Sequence, residues 1–145
     1  MKSILFSGCM VIFIMACGVN KKEQKSSLLG ITYNAESRGV YLNIEVKKAT
    51  ITIMKDRNGE NIETLELDLI DWEDICLKVE KSNVENIKRY KSPSENRFSD
   101  RAAIANLKIQ YEDTSYESNS FDHGNPPEQL KELIEKILAL SETAQ

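Results

Sequence analysis

The stretch GVYLNIEVKKATITIMKDRNGE, residues 39–60, decides the fold class. Val40, Leu42, Ile44 and Val46 alternate with Tyr41, Asn43 and Glu45. A period of two puts the first set on one face of a strand and the second on the other. The phase slips at Lys47-Lys48 and resumes with Ala49, Ile51 and Ile53, which predicts a turn or bulge between two strands. Asp56-Arg57-Asn58-Gly59 closes the second strand, because Asn-Gly accepts a positive φ at low cost. Strands with one apolar and one polar face, joined by short turns, build an antiparallel sheet covered on one side only.

Working outward, Ile31–Glu36 reads as the preceding strand, with Ser37-Arg38-Gly39 as its turn. Downstream, Leu65, Leu67 and Leu69 alternate once more. The period then changes at Asp71: Trp72, Ile75, Cys76 and Val79 share one face of a short helix. Asp71 is expected to cap it, with Glu73 and Asp74 suiting the positive end of its dipole. Trp72 is expected to be buried beside Leu133 or Ile137. A polar segment runs from Lys88 to Asp100. Ala103, Ala105, Leu107, Ile109 and Tyr111 then share a strand face, and Tyr116–Phe121 is expected as the next strand. Asn125 is the expected N-cap of a last helix, with Pro126 and Pro127 in its first turn and Glu128 completing a capping box. Leu130, Leu133, Ile134, Ile137 and Leu138 form its apolar stripe, and Glu132–Lys136 an i,i+4 pair. The expected fold is α+β: an antiparallel sheet of about five to six strands with two helices on one face, in the order strands, helix, two strands, helix.

The amino terminus is of another kind. Met1-Lys2-Ser3 is basic, Ile4 to Ala16 is apolar apart from Ser7 and Gly8, and Asn20-Lys21-Lys22-Glu23-Gln24-Lys25 is abruptly polar. That layout is a signal peptide. The apolar run is too short to span a bilayer, which takes about 20 residues. Ile14-Met15-Ala16-Cys17 resembles the lipobox of bacterial lipoproteins, although Met15 stands where a small residue or Val is commoner. The resemblance implies that the Cys17 thiol receives a diacylglycerol and that the chain is cut before it and acylated on the new amino group. Cys9 follows Ser7-Gly8, but a cut there would leave an apolar stretch at the new terminus. Two or more acyl chains anchor stably where one does not. The chain thus divides into a signal peptide (1–16), a lipidated cysteine and flexible tether (17–29) and one α+β domain (30–141). The expected location is the cell envelope, lipid-anchored to the outer membrane, with the domain in the periplasm or at the cell surface.

Removing residues 1–16 takes away Lys2 and no acidic residue, leaving 18 basic against 23 acidic side chains. An acidic balance argues against nucleic acid, which needs a clustered basic face. Loss of Cys9 and lipidation of Cys17 leave Cys76 as the single unmodified cysteine, so no internal disulfide forms and the core must carry the fold. His123 is the only histidine, which excludes a multi-histidine zinc site. There is no calcium loop, no Gly-rich phosphate loop and no Gly-x-Ser-x-Gly elbow, and neither metal nor cofactor is expected.

Two segments hold the candidate site residues. In Phe121-Asp122-His123-Gly124-Asn125-Pro126-Pro127, Asp122 and His123 form a candidate recognition or acid–base pair. The competing reading is a helix-entry turn, with Gly124 turning the chain, Asn125 capping and the His123 ring in solvent. On the long loop, Ser94, Arg97 and Asp100 form a candidate polar binding surface, to which Arg38 is added; Asp100 alternatively only caps a turn. A Cys76–His123 dyad is opposed by the placement of Cys76 on a core face.

Glu36-Ser37-Arg38-Gly39, Ser92-Pro93-Ser94, Asp100 to Leu107 and Ser120 to Pro127 are similar to segments of small lipoproteins common in Bacteroidetes-type bacteria, a likeness that implies no activity. The layout also resembles that of emfourin-type proteinaceous inhibitors of thermolysin-like proteases, without a matching inhibitory motif. The expectation is therefore a membrane-tethered, non-enzymatic binding domain with another envelope protein as partner. The alternatives are a protease inhibitor and a hydrolase using Asp122 and His123.

Overall fold

A computed structural model describes residues 26–143. The expected signal peptide, Cys17 and most of the tether lie outside the described residues. Four strands come first, β1 (Leu28–Glu36), β2 (Tyr41–Lys47), β3 (Thr50–Met54) and β4 (Ile62–Glu66). Helix α1 (Leu69–Lys81) follows, then strands β5 (Ile104–Tyr111), β6 (Ser115–Glu117) and β7 (Phe121–Asp122), and helix α2 (Lys131–Glu142). The sheet is antiparallel throughout, in the order β4-β3-β2-β1-β5-β6, with β7 also paired to β5. The α+β class and the order of elements are as expected.

β6 and β7 divide between them the edge of β5 that β1 leaves open. Between the two, Ser118 replaces ladder geometry with its side chain: its Oγ accepts the Leu107 N–H at 3.0 Å while its own N–H donates to Leu107 O at 2.9 Å. The expected strand from Tyr116 to Phe121 is thus two short ones. β1 begins at Leu28, ahead of the expected domain start at 30, and its register shifts between Leu28 and Gly30. A Cβ on Gly30 would lie 2.9 Å from Val46 O, so that close approach of two strands requires glycine.

Alternate side chains explain the layers. Ile31, Tyr33 and Ala35 of β1, Ile44 and Val46 of β2, Ile51 and Ile53 of β3, and Ala105, Leu107 and Ile109 of β5 are buried on one face. Trp72, Ile75 and Val79 of α1 and Leu133, Ile134 and Ile137 of α2 join the same cluster, so both helices cover that face. Trp72 is buried, as expected, and belongs to the same core cluster as Leu133 and Ile137. The other face carries Thr32, Asn34, Asn43, Glu45, Thr52 and Lys108, none of them buried.

Two expectations, one of capping and one of pairing, are corrected, and the Asp56–Gly59 turn is as expected. α1 starts earlier than the apolar spacing suggests, and Asp68, not Asp71, caps it by accepting the Ile70 N–H at 2.8 Å. Asp71 instead accepts from Lys136 Nζ at 2.7 Å, and Asp74 lies 3.4 Å from the same ammonium. Lys136 therefore ties α2 to α1 rather than pairing with Glu132. The acidic partners raise its pKa, Asp71 foremost. The β3–β4 turn closes on Asp56, whose carboxylate accepts the N–H groups of Glu60 at 3.0 Å and Asn61 at 2.5 Å, with Gly59 at φ +71°. Among the described residues, no helix is long and apolar enough to cross a membrane.

Candidate functional site

The site grows from the two residues of β7. Phe121 pairs with Ala105 and Asp122 with Ile104, so Phe121 points into the core and Asp122 to the opposite side. The chain then turns back, and His123 donates its N–H to Ala103 O at 2.9 Å. Asp122 and His123 thus point apart and bond different partners, Ser94 and Arg97 for Asp122 and Tyr33 for His123.

Asp122 is buried, and its carboxylate gathers the long loop. Oδ2 accepts from Ser94 Oγ at 2.5 Å and from the Asn96 N–H at 2.8 Å. Oδ1 accepts from the Arg97 N–H at 2.9 Å and from Arg97 Nη1 at 3.1 Å. Both oxygens are thus doubly engaged, close to their capacity. The Arg97–Asp122 ion pair is enclosed, with the two side chains 8% and 2% exposed. Nη1 of Arg97 also donates to Ser94 O at 2.7 Å and to Ser92 Oγ at 3.2 Å. Asn125 Nδ2 donates to Ser94 Oγ at 2.7 Å. Burial on its own would push the Asp122 carboxyl up; the hydrogen bonds from Ser94, from the Arg97 and Asn96 amides and from the Arg97 guanidinium outweigh it and hold the pKa at about 2.

The loop conforms to this clamp. Asn96–Ser99 forms a single 3-10 turn, entered with the Phe98 N–H on Glu95 O at 3.1 Å and left through Asp100 at φ 56°. Arg97 lies beneath the next residue, its guanidinium carbon 4.3 Å from the centroid of the Phe98 ring, and Phe98 is 71% exposed. A buried ion pair therefore carries an aromatic ring held out to solvent.

His123 lies under the sheet edge instead of in solvent. Its Nδ1 is 2.7 Å from the hydroxyl of Tyr33, a fully buried residue, and the two rings meet at 5.9 Å between centroids. Burial pushes the Tyr33 pKa up and the His123 pKa down. Folded protein thus resists a proton on His123 that the unfolded chain accepts below its ordinary value of 6.5. Stability should be unaffected by this residue above that pH and fall as pH drops beneath it. Urea midpoints measured between about pH 7 and pH 5 should decline more steeply for wild type than for His123→Gln, which cannot titrate. Parallel declines would remove His123 as the cause.

The remaining candidates are dispersed. Arg38 is exposed in the β1–β2 turn, where it is Arg57 that donates to Ser37 O at 2.9 Å and stacks 5.8 Å from the Tyr41 ring centroid. Asp100 is exposed in its left-handed conformation. The structure brings Ser94, Arg97 and Asp122 together and leaves Arg38, Asp100 and His123 outside that cluster. Asn125 is not a helix cap: α2 is entered through a 3-10 turn, Glu128–Leu130, that has no side-chain cap, and the Asn125 side chain serves the loop. Ser92, Asn96, Phe98 and Tyr33 went unread in the sequence. Phe98, the one phenylalanine in the polar segment from Lys88 to Asp100, is a signal the sequence offers. Cys76 lines a pocket with Leu28 and Tyr111 at the far end of β1 from Tyr33's neighbour Ala35, remote from His123. Among the described residues, no three His, Cys, Asp or Glu side chains converge as a metal site. Compared with protein-family models, with curated proteins and with solved structures, the chain shows no significant match.

Proposed function

We propose that this chain is an exported lipoprotein, cut before Cys17 and lipid-anchored to the outer membrane, whose domain binds another envelope protein without catalysis. The observation that carries the binding reading is the placement of Phe98. Ile104 pairs with both Glu36, the last residue of β1, and Asp122, which clamps the Phe98 turn. Phe98 therefore stands at the end of the sheet opposite the one where the tether enters, about 30 Å away along a nine-residue strand. Val40 and Ile104, 44% and 47% exposed, lie at the same end, as do the exposed Arg38 and Arg101. Aromatic and arginine side chains are enriched in protein–protein interfaces. Apart from Arg97 Nε, which is buried without a hydrogen-bond partner, the clustered polar side chains are engaged with one another, which supports a presenting role over a chemical one.

The full chain, expressed in its own envelope with labelled palmitate and a photo-crosslinker introduced beside Phe98, tests both parts. Cys17→Ser should lose the label. Phe98→Ala should keep the label and melt within about 4 °C of wild type, since a mostly exposed ring stacked on a cation contributes about 0.5–1 kcal/mol, yet lose the crosslinked partner. Label retained by Cys17→Ser would refute the anchor, and an undiminished crosslink in Phe98→Ala would refute the docking end.

A further inference from the structure

The opposite flank of the sheet carries a feature that this reading does not use. β4 is an outermost strand, paired to β3 alone. The Leu67 N–H donates to Ala49 O at 2.9 Å and the Lys55 N–H to Asn61 O at 3.2 Å, one bonded pair beyond each end of the β3–β4 ladder. Bonded and non-bonded pairs alternate in an antiparallel ladder. With Ile51 opposite Leu65 and Ile53 opposite Glu63, those two residues of β4 turn their backbone groups inward to β3. Ile62, Thr64 and Glu66 must then turn their N–H and C=O groups outward, a ready template for another strand.

The side chains along that edge select its occupant. Residues 60–68 carry Glu60, Glu63, Glu66 and Asp68 and no basic residue. A second copy of β4 would bring these acids against the same set, which disfavours self-pairing while leaving a basic strand welcome. Apolar surface flanks the edge at both ends: Ile62 is 51% exposed, and Leu69 and Ile70, where the chain leaves β4, are 60% and 75% exposed. A groove of about 550 Å³, lined by Ile53, Lys55, Glu60, Asn61, Ile62 and Glu63, adjoins the first residues of the strand. We propose that the outer edge of β4 is a strand-addition site for an extended segment bearing two basic residues three positions apart, opposite Glu66 and Glu63, with β-branched residues between and beside them. Alternation places Glu66 on the open face and Glu63 on the helix face, so such a segment is gripped from both sides. The site stands whether or not the chain is lipidated, and it is separate from the Phe98 end.

The test uses the full chain in detergent and the blocked peptide Lys-Val-Thr-Lys-Val, which in antiparallel register sets its lysines opposite Glu66 and Glu63. Amide exchange at Ile62, Thr64 and Glu66 should slow as the peptide is added, and Glu-Val-Thr-Glu-Val should leave it unchanged. The double variant Glu63→Lys, Glu66→Lys, checked for an unaltered melting temperature, should bind the lysine peptide about tenfold more weakly and prefer the glutamate peptide. Three results would overturn the proposal. They are no protection of these amides at saturating peptide, equal binding of both peptides, and protection that rises with protein concentration alone, which would mark the edge as self-pairing.

Discussion

Asp122→Ala should cost about 3–5 kcal/mol of stability, the usual penalty for removing one partner of an enclosed ion pair. The substitution leaves the Arg97 guanidinium, 8% exposed, without its counter-ion and the Asn96 and Arg97 amides without an acceptor. The melting temperature should fall by roughly 10–20 °C for a domain of this size. Because the carboxylate is what holds the Asn96–Ser99 turn, trypsin should cut after Arg97 or Arg101 faster in the variant well below its melting point. The same residue sets an acid limit. Its folded pKa of about 2 lies below the ordinary 3.8, so its contribution is complete above pH 3.8 and disappears as pH falls toward 2. Urea titrations across that window should show wild type losing stability that Asp122→Ala has already lost. A variant within about 1 kcal/mol of wild type would mean that solvent replaces the carboxylate at little cost.

Trp72→Ala should be comparably severe. Trp72 is 7% exposed, on the α1 face that shares the core cluster with Leu133 and Ile137 of α2. Truncating a large buried aromatic costs about 3–5 kcal/mol through lost burial and the cavity left behind. Trp72→Phe, which restores most of the apolar area, should recover more than half of that loss in a denaturant melt. If Trp72→Ala and wild type unfolded at the same denaturant concentration, α1 would not be packing the sheet through this residue.

Where two faces of an element differ chemically, the sequence displayed the fold. Val40 to Ile53 alternates because its strands are apolar beneath and polar above, and the stripe from Leu130 to Leu138 marks α2 for the same reason. β4 shows how the signal fails. Leu65, Leu67 and Leu69 keep a strand period, yet only Leu65 belongs to the strand. Asp68 starts the helix by capping Ile70, and Leu69 ends up 60% exposed. The break between β6 and β7 rests on the Ser118 hydroxyl substituting for a backbone partner, which no apolar pattern encodes. The candidate site was half legible. Ser94 and Arg97 stand out as polar residues in a loop and Asp122 at a strand end, but their meeting depends on contacts 25 to 28 residues apart. Asp122 and His123 suggested a pair because they are neighbours in sequence, and strand alternation is what separates them.

The central place of β1 has a mechanical consequence. Any pull through the residues before Leu28 enters the domain along the axis of a strand flanked on both sides, by β2 and by β5. A load applied at the Phe98 end is carried to β5 and β7 from the opposite direction. The β1–β5 ladder, whose hydrogen bonds lie across the line of force, is then sheared, so its bonds share the load instead of opening one at a time. A domain stretched between an anchor and a partner would yield last where it is held first.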